Sequence, residues 1–242
     1  MRNILCLLVF MMFLLPVQNI SCQTPGTTAD LFQLSEELGN LIRQVDHENA
    51  VDNDLKVAGS RYADDRFKES VLYLGGKEIP GVYARFDALN GVMEIKINIS
   101  DSENEVYVVK KDPEIRCKIG DDLYVYSEYS SDEGRQNGYL LALVTDGDYR
   151  LFKKQWVYFR EGRDSGDPLK GSVPNRFILK EEVLVGVNRE LPKLVKMRRN
   201  KVLEMLPEQE VAAARSFLSE KGYDLKEEAE LVTFFQALNA GF

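Results

Sequence analysis

The chain has 242 residues, 44% of them apolar and 29% charged, which excludes a disordered polymer and suits one large domain or two small ones. Its formal charge of −8, from 39 acidic against 31 basic residues, excludes nucleic-acid binding through a general electrostatic field.

Met1-Arg2-Asn3 puts a positive charge at the start, and Ile4 to Val17 is an apolar run with Pro16 near its end. A helix of that length covers roughly 21 Å, short of a ~30 Å hydrocarbon core. A charged start, a short apolar run and small or polar residues after it read as a secretory signal over residues 1–22. Its loss, taking Arg2 with it, moves the charge from −8 to −9. Asn19-Ile20-Ser21-Cys22-Gln23 offers Ser21 or Cys22 as the small residue before the cut. The same stretch resembles a bacterial lipoprotein box, with Asn19 where such boxes usually carry leucine. Soluble export to the periplasm or beyond the cell is the expectation. A lipid on Cys22, tethering the protein to a membrane, is the alternative.

Residues 23–56 read as a Thr/Pro/Gly linker followed by an amphipathic helix. Leu31, Leu34, Leu38, Leu41 and Val45 recur at alternating spacings of three and four, which predicts a helix over 29–45 with one apolar stripe. The polar stretch 46–56 holds His47, the only histidine of the chain.

From 57 to 199 the pattern becomes short alternating runs separated by turn residues. Val71 to Leu74 ends at Gly75-Gly76. Val82 to Leu89 leads through Asn90-Gly91, a strong hairpin signal, into Val92 to Ile97. Glu105 to Lys110, Glu114 to Ile119 and Leu123 to Tyr129 continue the series. A second hairpin joins Tyr139–Val144 to Tyr149–Phe159 through Asp146-Gly147-Asp148. Arg176–Leu179 and Val183–Val187 supply one or two more strands, and Leu191–Val195 another. Strands this close together leave no room for helical crossovers, so the sheet is expected to be antiparallel. Glu161 to Asn175 is a long loop rich in Gly, Pro and charge, either mobile or functional. Helices over 200–206, 207–220 and 225–238 close the chain, each with one apolar face. The expected fold is α+β: an antiparallel β-meander, as an open curved sheet or partial barrel, with an N-terminal helix and a C-terminal helical segment over 200–242 packed on it.

Gly59-Ser60-Arg61-Tyr62-Ala63-Asp64-Asp65-Arg66-Phe67, Val82 to Asn90, Gly138 to Gly147 and Phe217 to Val232 together resemble a group of uncharacterised exported proteins of Bacteroidetes. The resemblance spans about residues 58–240 and consists of hydrophobic and turn positions. The asparagine usual after its Arg-aromatic pair is Asp87 here. It implies an architecture and an exported address, and it carries no functional residue.

Chemistry-bearing residues are sparse. Cys6 and Cys22 fall in the signal region, which leaves Cys117 alone, with no partner for an internal disulfide. Strand alternation puts Ile115, Cys117 and Ile119 on one face, so Cys117 reads as a small core hydrophobe. Asp146-Gly147-Asp148 and Asp164-Ser165-Gly166-Asp167 lack the ligand spacing of a calcium loop, and turns require the same residues. Asp121-Asp122 and Asp132-Glu133 are carboxylate pairs for which turn chemistry is the simpler account. The basic stretch Arg189, Lys193, Lys196, Arg198, Arg199 and Lys201 reads as a solvated link between strand and helix. No nucleophile, metal, phosphate or dinucleotide signature occurs, and no cofactor is expected.

Tyrosines are the more suggestive binding feature. Tyr124 and Tyr126 share a strand face, and Tyr139 lies on a neighbouring strand; such rings either line a groove for a glycan or apolar ligand or pack across strands. The expected function is a non-enzymatic envelope or secreted protein that binds another protein through its sheet face or the 161–175 loop. A carrier of a small apolar ligand and a two-carboxylate hydrolase are the alternatives.

Overall fold

The computed structural model describes residues 38–39, 41–44, 57–163 and 171–241. Cys22, His47, Asp164 to Asp167 and all but the end of the expected 29–45 helix lie outside them. Within that helix's expected span, Leu38, Gly39 and Leu41 are helical, but Ile42–Gln44 is strand β1, paired with β6 at Ile42↔Val109. A backbone hydrogen bond from Lys110 N to Leu41 O fixes the start of that pairing, and the sheet edge overrides the helical period there.

The chain is mostly β-sheet, with three α-helices closing it. After β1 come β2 (Val57–Ala58), β3 (Lys68–Leu74), β4 (Lys77–Asp87), β5 (Val92–Lys96), β6 (Tyr107–Val109) and β7 (Ile115–Ile119). Then follow β8 (Asp122–Ser131), β9 (Gly134–Val144), β10 (Tyr149–Arg160), β11 (Asn175–Val187) and β12 (Lys193–Val195). The helices are α1 (Arg199–Leu203), α2 (Glu208–Lys221) and α3 (Glu228–Ala240). All described strands join one sheet, in the order β1-β6-β5-β4-β3-β7-β8-β12-β11-β10-β9, with β2 beside β11.

β8 also pairs β9 along its length, from Leu123↔Ala142 to Ser131↔Gly134. The pairings β8-β9-β10-β11-β12 therefore return to β8 and close a small ring. Two contacts in the sheet are parallel, β2 with β11 and β12 with β8. The hairpin argument binds only neighbours in sequence; Ser130 and Lys193 meet from distant parts of the chain and escape it.

Two strands are longer than their local sequence signals. β9 begins at Gly134, just past the turn residues Asp132-Glu133, although Gly134, Gln136, Asn137 and Gly138 are poor strand formers; residue-by-residue pairing with β8 holds them extended. β11 is one strand that runs through Lys180-Glu181-Glu182, because β10 pairs it from Tyr149↔Val187 to Arg160↔Arg176.

Three apolar clusters follow from strand alternation. The first lies under β3–β7, where Leu72, Ile79, Met93, Ile95, Val109 and Cys117 are sealed from solvent. The second joins Leu151, Val183 and Val185 to Leu218, Leu231, Phe234 and Phe235 of α2 and α3. The third fills the ring with Tyr129, Leu140, Phe152 and Leu184. Pro207 stands at the N-cap of α2, and Gly222 ends it in the left-handed region at φ 70°.

Candidate functional site

Alternation on the β4–β5 hairpin puts Val82, Ala84 and Phe86 with Met93 and Ile95 into the core. The opposite face therefore carries Arg85, Asp87, Glu94 and Lys96, charges expected to meet water. All four are buried. They are covered by residues 59–67, a strap that lies over them from outside the hairpin. Ala63 N donates to Phe86 O at 3.0 Å, and Leu89 N donates to Arg61 O at 3.1 Å.

The burial is tolerated because every charge has an opposite partner. Arg85 Nε donates to Glu94 Oε2 at 2.9 Å, and Arg85 Nη2 donates to Glu103 Oε2 at 2.8 Å. The guanidinium sits between the rings of Tyr62 at 3.8 Å and Phe67 at 4.1 Å. Lys96 Nζ donates to Glu103 Oε1 at 2.9 Å and to Asp101 O at 2.8 Å. Arg61 pairs with Asp87, which also accepts from Leu89 N and Asn90 N at 3.1 Å and so shapes the Asn90-Gly91 turn. Burial raises the Glu103 carboxyl, but hydrogen bonds from Lys96 and Arg85 outweigh it and leave that group below its ordinary value.

Beside the strap lies an open cleft of about 230 Å³, lined by Asp64, Arg66, Lys68, Asp122, Tyr124 and Gln155 among others. It brings two carboxylates, Asp64 and Asp122, to one cavity. A hydrolytic pair needs one carboxyl protonated near neutral pH. Asp64 moves the other way: hydrogen bonds from Arg66, then Lys68, hold it well below the usual carboxylate range. It stays ionised and occupied by cations.

Of the tyrosines read from the sequence, Tyr124 and Tyr139 are buried in the first cluster, with Tyr126 packed against it. Tyr124 lies 5.1 Å from Phe86 and Tyr126 lies 5.2 Å from Tyr139, ring to ring. Tyr124 Oη donates to Gln155 Oε1 at 2.8 Å, and Tyr139 Oη donates to Lys110 O at 3.2 Å. Only Tyr124 reaches a described cleft, at the wall of the one beside the strap. The strand signal found these rings but not their direction, which core packing sets.

Cys117 is buried between Ile115 and Ile119, and desolvation pushes its thiol up to about 12. Asp146 and Asp148 flank Gly147 in the β9–β10 turn. Among the described residues, no group of three His, Cys, Asp or Glu is placed to hold a metal, and no helix is long and apolar enough to cross a membrane.

Exposed large hydrophobic side chains gather on and beside the β10–β11 hairpin. β9 pairs β10 only as far as Leu141↔Lys153. Beyond that point β10 has β11 as its strand partner, plus one backbone bond from Val157 N to Ala88 O at 2.9 Å. On this arm Phe159 and Leu179 are exposed, and Val173 is exposed just past it, where it bridges Arg163. They are three of the four large hydrophobic side chains exposed among the described residues, the fourth being Ile99.

No protein-family model, curated protein or solved structure matches the chain.

Proposed function

We propose that this chain is an exported, non-enzymatic binding protein of the cell envelope or its surroundings, which docks another protein on the arm formed by β10 and β11. The fold behind this reading is a partial barrel that carries an N-terminal amphipathic helix. The observation that carries it is the gathering of Phe159, Leu179 and Val173 at the end of one hairpin. Scattered single hydrophobics are ordinary on a surface; several at one place, rimmed by charges such as Arg160, Arg163 and Arg176, are the composition of a docking patch. The packed ring interior and the open, polar cleft beside the strap lend no such support to a carrier or a hydrolase.

The test is a photoreactive side chain placed at Phe159 or Leu179, with Ile99 as an equally exposed control elsewhere on the surface. Crosslinking in the native host is expected to yield one discrete partner from the arm and none from position 99. Phe159→Asp with Leu179→Asp is expected to abolish that product while the unfolding temperature holds. The same products from arm and control would overturn the reading.

A further inference from the structure

The mouth of the five-stranded ring is a second site, distinct from the exposed apolar end of the arm and built where the base of β10 and β11 meets β8, β9 and β12. Residues that alternate inward along the ring are apolar at its centre and change character at one end. There Lys154, Trp156, Gln136, Glu182, Asp132 and Glu133 line an open cleft of about 330 Å³, a size at the lower end of small-molecule sites.

Three observations define what this cleft takes. Aromatic surface is present: Trp156 stands 5.9 Å from the Tyr158 ring, and the Lys154 ammonium lies 5.1 Å from the Tyr129 centroid and 5.9 Å from that of Trp156. Hydrogen-bonding capacity of both kinds is unspent. Lys154 Nζ reaches Glu182 only at 3.9 Å, beyond hydrogen-bond distance, and Gln136 uses one amide hydrogen on Glu133 while its oxygen accepts from Tyr129.

Charge then narrows the class. Asp132, Glu133 and Glu182 against Lys154 leave the mouth net negative and hostile to an anion. Lys154 already occupies the cation position over the rings. A purely apolar ligand would strip water from these charges without replacing its hydrogen bonds. A neutral sugar fits all three features: its C–H face lies on an aromatic ring, and its vicinal hydroxyls donate to carboxylates and accept from ammonium and amide N–H. We propose that the ring mouth binds a neutral saccharide, with Trp156 as the platform and Lys154 and Glu182 as its hydrogen-bonding partners.

Trp156 is the only tryptophan of the chain, so tryptophan emission, excited where tyrosine does not absorb, reports on this cleft. The probes are the trisaccharides of β-1,4-glucose, α-1,4-glucose and β-1,4-N-acetylglucosamine, with choline as a cationic control, titrated to millimolar concentration into the full chain. Calorimetry on the same mixtures detects binding that leaves emission unchanged. The expected result is saturable binding of at least one trisaccharide, weakened about tenfold by Lys154→Ala or Glu182→Ala. Both positions are partly exposed, so both variants are expected to keep the wild-type unfolding temperature. A variant that unfolds early is replaced by Lys154→Met or Glu182→Gln. The proposal is overturned if neither method shows saturation, if choline alone binds, or if a trisaccharide binds both variants as tightly as wild type.

Discussion

Asp87 shows how one side chain links the strap, the strand and the turn. Its carboxylate is sealed from solvent, pairs with Arg61 of the strap and accepts the two backbone N–H groups that begin the Asn90-Gly91 turn. Asp87→Ala removes all three at once and leaves a guanidinium facing its former site. The expected cost is about 3 kcal/mol in chemical denaturation, at the low end for a broken buried pair because Arg61 keeps some contact with water. Asp87→Asn keeps an oxygen for the two turn bonds and loses the ion pair together with the bond from Asn90 Nδ2, so a smaller cost is expected, roughly 2 kcal/mol. Equal losses for the two variants would show that the turn bonds contribute nothing. The period-2 pattern at Arg85, Asp87, Glu94 and Lys96 was legible in the sequence, as was the Asn90-Gly91 register that sets Arg85 opposite Glu94. Alternation alone assigns such residues to water. What covers them lies eighteen or more residues upstream, and no local pattern announces it.

The strap is an element without regular structure, held by contacts at both ends. At its start Gly59 takes φ +84°, and a Cβ added there would sit 2.5 Å from Phe177 O of β11. Gly59→Ala therefore suffers a backbone clash as well as a left-handed conformation that L side chains rarely adopt. It is expected to cost about 1–3 kcal/mol and to raise hydrogen exchange at Ala63 and Leu89, whose amides pin strap to hairpin. Gly76→Ala is the control, also at positive φ but in open space at a hairpin turn. Unchanged exchange in Gly59→Ala would mean that the strap does not depend on its anchor.

For the molecule as a whole, burial of phenols and a thiol gives stability a defined response to alkali. Burial, with Glu94 adding to it, pushes Tyr62 up to about 12. Burial also raises Tyr124 and Tyr139, and burial with the Glu210 carboxylate raises Tyr149. Burial alone pushes Cys117 up to about 12. Each folded value exceeds that of the unfolded chain, about 10 for tyrosine and about 8.5 for cysteine. Their contribution is complete below the unfolded values and is lost as pH rises through the folded ones. Stability is expected to decline from about pH 9 toward pH 12. Tyrosinate absorbance from these rings should appear with the loss of circular dichroism, not before it. Full ionisation near pH 10 with the native spectrum intact would contradict this burial.

Sequence by itself determined the strand and helix inventory wherever a local period or turn residue was decisive. The Asn90-Gly91 hairpin, the Asp146-Gly147-Asp148 turn, the inward Cys117 and the α2 stop at Gly222 all follow from interactions among near neighbours. Tertiary structure alone decided the closure of β8–β12, the extension of β9 and β11 through polar residues, and the exposed end of the arm. It also decided which charges are covered. Each of these depends on backbone pairing or burial between segments far apart in the chain, where hydrogen bonds to a distant strand outweigh a residue's own preference.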